Sequence, residues 1–231
     1  MLLNGLVQWL RQLQFGGLLD TVVLVAASLL CITIHETCHG LAACWMGDDT
    51  ARRMGRLSLN PLRHVDLMGL LMMALVRFGW AKPVPVDMRK FRNPKAGMAL
   101  TALAGPVSNV LLAVLAVVLR AAALVLLYRY GGAWSYAVQF LEYVAILSAG
   151  LAVFNLFPIP PLDGSKVIFS LLPGRYYEKL MRYERYGMLL LMVLLFLGIL
   201  DTPLYFLREK LLNMASSVAE PVFLLLASRL L

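Results

Sequence analysis

From Leu18 to Ile34 the chain runs almost without a polar break, and the apolar run continues through His35, Glu36 and His39 to Trp45 and Met46 before Gly47, Asp48 and Asp49 end it. A helix lying on a watery surface needs a polar face, and this stretch has none. About 20 apolar residues in a helix cross a bilayer, and 96–127 and 136–157 have the same character, the latter running into Pro158, Pro160 and Pro161. A fourth stretch, 186–200, is rich in Leu and Met but short. Only 15% of the 231 residues are charged and 61% are hydrophobic, against about 25% charged in soluble domains. A typical soluble globular protein is excluded. The expectation is an all-α polytopic membrane protein with about four to six membrane segments, organised as a single membrane-embedded domain over 1–231. Within it, 1–17 reads as an interfacial or partly inserted helix, 18–172 as the core and 173–231 as C-terminal helices. The tail 203–231 mixes apolar residues with Arg208, Glu209, Lys210 and Glu220, and is expected to lie at the interface or dip in partway.

The charge gives an orientation. Of the 21 Lys and Arg residues, which outnumber 13 Asp and Glu to leave a formal charge of +8, ten lie in 47–95 and four in 174–186. If the first three spans each cross once, these windows fall on the same side, and the positive-inside rule puts loop 47–95 in the cytoplasm of a multi-pass cell-membrane protein. Nucleic-acid binding would need base-stacking aromatics among those charges or a recognised module; neither is present, so no nucleic-acid partner is expected. Cys31, Cys38 and Cys44 form no CxxC pair and no secreted disulfide pattern.

Loop 55–95 is built of short alternating pieces, with an apolar run from Leu67 to Phe78 too short to cross. Non-helical backbone at membrane depth has to be shielded by protein, so a small membrane-associated β segment is expected, re-entrant or surface-lying. Pro83, Val84, Pro85 and Val86 read as an edge strand, where proline is tolerated at positions that face no partner.

Ionisable residues inside a span are costly and point to function. Span one holds three in five residues, His35-Glu36-Thr37-Cys38-His39. Histidines four apart share a helix face and can hold one metal ion, with the intervening glutamate in reach of a water on that ion, which is the HExxH zinc-hydrolase pattern. Two packing histidines bonded to backbone or to Glu36 are the other explanation, but in a bilayer each buried group would need its own partner. A catalytic zinc commonly has three protein ligands and an open fourth position. Asp48 and Asp49 are the charged candidates soon after His39; Asp163, after the proline cluster of Asn155-Leu-Phe-Pro-Ile-Pro-Pro-Leu-Asp163-Gly164, is the better one, although it could instead cap a helix over 164–172.

These residues carry a resemblance. The His35-Glu36-x-x-His39 motif, Gly55-Arg56-Leu-Ser-Leu-Asn60-Pro61-Leu-Arg-His64-Val-Asp66-Leu-Met-Gly69, Trp80-Ala-Lys82-Pro83-Val-Pro85-Val, Ala104-Gly105-Pro106-Val-Ser-Asn109 and Asn155 to Gly164 occur in that order over 35–164. The chain resembles the site-2 protease family of intramembrane zinc metalloproteases, in a minimal form without a PDZ or CBS domain. The resemblance implies a three-helix catalytic core and one Zn2+ per chain held by His35, His39 and Asp163. It makes Glu36 the general base, and the activity the hydrolysis of peptide bonds in transmembrane protein substrates within the lipid bilayer, at an active site opening to the cytoplasmic side. Asn155 would donate a hydrogen bond to the scissile carbonyl oxygen, or else bond the broken helix end; Asn109 would hold substrate or a ligand. Gly105 fits close helix approach as well as a role at the site. His64 is expected in the membrane-associated sheet with a structural or substrate-contacting role, and the edge Pro83, Val84 and Pro85 to bind an unwound substrate segment by strand addition. Two rivals stand beside this reading: a non-proteolytic membrane metal-binding protein or transporter, and an inactive scaffold descended from a protease.

Overall fold

The computed structural model describes residues 18–66, 68–69, 81–132, 134–173 and 186–230. The expectations for 1–17, for the apolar run over 70–80 and for the basic loop 174–185 lie outside the described residues. Seven helices are described: α1 (Leu18–Met46), α2 (Thr50–Arg53), α3 (Pro94–Tyr130), α4 (Trp134–Leu156), α5 (Asp163–Ser170), α6 (Tyr186–Phe196) and α7 (Asp201–Leu230). Four of them, α1, α3, α4 and α7, are long and apolar enough to cross a membrane. The protein is an all-α polytopic membrane protein.

The fourth crossing helix departs from the sequence expectation. The stretch 186–200 is broken: α6 stops at Phe196, and Gly198 at φ 69° lets the Ile199 N–H reach Leu194 O and the Gly198 N–H reach Leu195 O. That pair of bonds is the Schellman stop, which needs a residue in the left-handed region. At 1.5 Å per residue α6 spans only about 17 Å, roughly half a bilayer core. The tail instead forms the uninterrupted α7, with Pro221 inside it. Proline costs the helix one hydrogen bond, but apolar surroundings leave the backbone no alternative to helical pairing, so the tail is a crossing helix by length and composition and not only an interfacial one.

The described chain forms two compact units. The first takes α1 up to Cys31, α3 from Asn109, α4 up to Phe154, and helices α6 and α7. Its centre is made of small side chains, Ala27, Cys31, Ala116 and Ala145, with Tyr143 and Val144. Small residues let helices approach closely where lipid offers no hydrophobic drive to pack. Polar groups in this unit find partners within it: Arg120 meets Glu142 at 3.2 Å, Gln139 donates to Asp20 at 2.9 Å, and Ser148 donates to Cys31 at 3.1 Å.

The second unit comprises Ile32–Ser108 and Asn155–Arg185, as far as they are described. Helix α1 ends here at Gly47, φ 112°, through the same double bond: Asp48 N–H to Ala43 O and Gly47 N–H to Cys44 O. The turn delivers Asp48, which is fully buried, into the loop. Its carboxylate accepts from the Thr50 N–H at 3.0 Å, from the Thr50 hydroxyl and from the Asp87 N–H at 2.6 Å, with Lys90 Nζ at 3.7 Å. One side chain thus ties the end of α1 to the chain entering α3. Ala43, Phe91 and Met98 pack beside this junction, with Met46, Val86 and Met88 against them.

The expected β segment is reduced, among the described residues, to one antiparallel bridge between Val65 and Ala81. The reason lies in the backbone: Pro83 and Pro85 have no N–H, so a ladder entering at Ala81 cannot continue. Residues 82–86 run on without helix or strand.

Burial opposes the charge on Asp48, but the Thr50 hydroxyl, the two backbone N–H groups and Lys90 outweigh it and hold the carboxyl below the ordinary carboxylate range. A depressed folded pKa contributes stability that is present above the unfolded value, about 3.9, and lost as pH falls through the folded value. Asp48→Asn, which sets an amide N–H against backbone donors, is expected to cost on the order of 1–3 kcal/mol at neutral pH. In thermal unfolding of the detergent-solubilised protein, the gap between natural and variant midpoints should hold at neutral pH and narrow as pH falls below about 4.

Candidate metal centre

His35 and His39 stand one turn apart on α1 in the second unit, and both are buried. Their Nε2 atoms approach to 3.0 Å, with the rings edge to face at 4.5 Å between centroids. Asp163, the first residue of α5, brings its Oδ2 to 3.3 Å from His35 Nε2 and 3.1 Å from His39 Nε2. The three atoms form a triangle with edges of 3.0, 3.1 and 3.3 Å. Ligand atoms of a tetrahedral zinc bound at about 2.0–2.1 Å lie about 3.3 Å apart, so the triangle has the dimensions of one face of that tetrahedron.

The protonation pattern agrees with the spacing. His39 Nδ1 lies 2.7 Å from the Thr101 carbonyl oxygen; a carbonyl only accepts, so Nδ1 carries a proton, and in the neutral ring Nε2 presents its lone pair. Two nitrogens and a carboxylate oxygen converging at about 3 Å repel unless a proton or a metal ion lies among them, and burial leaves that repulsion poorly screened. Among the described residues this is the group of His, Cys, Asp and Glu side chains able to hold a metal ion.

Local sequence explains how the triangle closes. A Cβ on Gly105 of α3 would lie 2.4 Å from His39 Nε2 and 2.7 Å from His35 Cε1, so only glycine lets α3 lie against both imidazoles. Gly164 does the same for the third corner: a Cβ there would lie 2.1 Å from Leu156 O and 2.6 Å from Phe157 O. The chain folds back on the end of α4 and points Asp163 at the histidines. The helix-capping alternative for Asp163 does not hold, because α5 begins after Leu162 with no side-chain cap.

Glu36 lies outside the triangle. Its Oε2 accepts the Val84 N–H at 2.9 Å. His64 is 1% exposed, with Nε2 at 2.8 Å from Ser58 O and its own carbonyl accepting the Lys82 N–H at 2.9 Å; of its two expected roles, the structural one matches these contacts. Pro83, Val84 and Pro85 form the extended segment beside Glu36, with Val84 buried and Pro83 exposed. Asn109 is fully buried on α3 and Asn155 is half-buried near the end of α4; neither belongs to the metal-holding group.

The sequence reading missed three participants. The Thr101 carbonyl leaves no trace in side-chain patterns. Lys166 Nζ, 3.8 Å from Asp163 Oδ1, was visible in the i, i+3 spacing of Asp163 and Lys166 on a short helix. Arg56, 9% exposed, donates to Lys82 O at 2.7 Å and Pro83 O at 3.3 Å; only its place in the Gly55–Gly69 motif set it apart.

Gly105→Ala is expected to push the two imidazoles apart and lower metal content at least tenfold, measured as zinc per chain by elemental analysis, while the circular dichroism of the helices is retained.

Residues 23–199 match the profile of Peptidase family M50. YwhC of Bacillus subtilis strain 168, named as an inferred zinc metalloprotease, is 36% identical over 208 residues, covering 86% of this chain and 93% of its own. Rip2 of Mycolicibacterium smegmatis, named likewise, is 27% identical over 201 residues, 83% of this chain and 74% of its own. Rip2 of Mycobacterium tuberculosis strain H37Rv is 28% identical over 200 residues with the same coverage. No solved structure matches the chain. With a family match spanning α1 to α6 and every corner of the metal-holding triangle, the chain belongs to Peptidase family M50, the site-2 protease family.

Proposed function

We propose that this protein is an intramembrane zinc metalloprotease that hydrolyses peptide bonds of transmembrane proteins. The observation that carries the reading is the triangle of His35 Nε2, His39 Nε2 and Asp163 Oδ2, sized for one zinc ion, with Glu36 on the same helix but outside it. Bound there, zinc would polarise the scissile carbonyl and lower the pKa of its water to about 7. Glu36 takes the proton of the attacking water and delivers it to the leaving amine. Asn155 and Asn109 are the candidates to donate a hydrogen bond to the carbonyl oxygen as it gains charge.

Depth supports the intramembrane assignment. His39 and His35 precede the end of α1 by seven and eleven residues, about 10–17 Å along the helix at 1.5 Å per residue, a distance that fits within a core of about 30 Å. The nearer end of α1 leads into the basic loop 47–95, so the site opens to the cytoplasmic side if that loop follows the positive-inside rule. Peptide bonds in an intact helix are paired and wrapped, so the substrate must unwind. The extended chain around Pro83–Pro85 is the surface beside Glu36 against which an unwound segment would lie, held by side-chain contact rather than a strand ladder, because its one N–H is bonded to Glu36 and Pro83 O to Arg56. An ion pathway is the weaker reading, because Glu142 and Asp20 already have partners in Arg120 and Gln139 and do not form a path.

The test is zinc content and turnover in the full-length protein in detergent, with fluorescein-labelled casein and a labelled single-span test protein as probes. One zinc per chain is expected in the natural protein, with clear loss in Asp163→Ala. Glu36→Gln should keep its zinc and lose roughly 100-fold or more in cleavage. A fully active Glu36→Gln protein, or no zinc in the natural protein despite supplementation, overturns the reading.

A further inference from the structure

The run Pro83-Val84-Pro85 contains a single backbone donor, because neither proline has an N–H. That donor, the Val84 N–H, is spent on Glu36 Oε2 at 2.9 Å. The peptide joining Pro83 to Val84 is a rigid plane in which the carbonyl of one residue and the N–H of the next point in opposite directions. At its other end Pro83 O accepts from the Arg56 guanidinium at 3.3 Å, and the same nitrogen reaches Lys82 O at 2.7 Å. Arg56 and Glu36 therefore hold opposite ends of one peptide plane.

Two further contacts fix where that plane lies. The Val84 side chain sits against Gly40, where a Cβ would meet Val84 Cγ1 at 3.2 Å; Gly40 is one turn beyond Glu36 on the same face of α1. On the other flank the Lys82 N–H bonds His64 O, and His64 is held through Ser58 O, which also accepts from Thr37 Oγ1 at 3.2 Å. Arg56 itself is nine-tenths buried, and its hydrogen bonds in the structure go to neutral carbonyls. A guanidinium is costly to bury without an ion pair, and here a single guanidinium nitrogen holds two adjacent carbonyls.

We propose that Arg56 is a positioning residue for Glu36: through the Pro83–Val84 peptide it aims the Val84 N–H at one carboxylate oxygen, which fixes the carboxylate and leaves the other oxygen to take the proton from water. This rests on the reading of Glu36 as general base. It also makes the proline pair part of the catalytic apparatus, since prolines at 83 and 85 remove the competing donors that could turn the segment over.

The test uses the full-length protein in detergent, with labelled casein as substrate and three changes. The Val84 N–H is replaced by an ester oxygen through incorporation of the α-hydroxy analogue of valine; Arg56 is replaced in Arg56→Met and Arg56→Lys; and the ester is combined with Arg56→Met. The ester alone should lower kcat tenfold to a hundredfold with KM and zinc content unchanged. Arg56→Met should do the same, Arg56→Lys should recover part of the loss, and the combined variant should be no slower than the ester alone, because Arg56 acts through the bond the ester removes. An ester variant with unchanged kcat overturns the proposal, as does an Arg56→Met loss that multiplies on top of the ester. If Arg56→Met fails to fold, the single-atom ester change and Arg56→Lys decide. Glu36→Gln, run alongside, separates the two readings: an inactive Glu36→Gln with an unimpaired ester removes only the positioning role, whereas an active Glu36→Gln removes the protease assignment itself.

Discussion

Two imidazole nitrogens and a carboxylate oxygen, all within 3.3 Å of one another, form a buried cluster that needs a proton or a metal ion among them. In water the mutual repulsion would be screened; between helices it is not. A metal ion at the centre would turn that repulsion into attraction. Much of the local architecture follows from that requirement: a histidine pair one helical turn apart, a glycine where the neighbouring helix crosses it, and a tight reversal after α4 that returns a carboxylate to the same depth.

The surroundings divide into parts that touch the candidate ligands and parts that touch Glu36. Thr101 O fixes one imidazole from α3, and Lys166 stands beside the Asp163 oxygen that faces away from the histidines. Glu36 is served separately, by backbone from the loop before α3. That loop is in turn fastened at both ends, by His64 and Arg56 near Lys82 and by the buried Asp48 near Asp87 and Lys90. A loop outside the helices thus carries out a task that needs helix-like rigidity, and it does so through side chains that give up their own hydration to bind it.

Much of this was legible in the sequence because periodicity and chemistry coincide. Runs of apolar residues predicted α1, α3 and α4 to within about three residues, and histidines four apart in such a run predicted a shared face. Asp163 was singled out by the prolines before it. What could not be read was anything carried by backbone: the Thr101 carbonyl, the Val84 N–H, or the reason for Gly164, which is a carbonyl 2.1 Å from where a side chain would begin. The C-terminal region was misjudged for a related reason. Pro221 and scattered charges suggested interruption, while the real stop was Gly198, whose left-handed backbone ends α6 and frees α7 to run its full length.

More than half the length of the chain separates His39 from Asp163, and Asp163 reaches its place only because Gly164 allows the backbone to close onto Leu156 and Phe157. During synthesis α1 enters the membrane with its histidines and Glu36 long before the residue that completes the triangle exists. The half-built molecule therefore passes through the bilayer without the third corner of its metal-holding group. Chain order thus completes the candidate metal-holding group last, with the segment that folds back after α4.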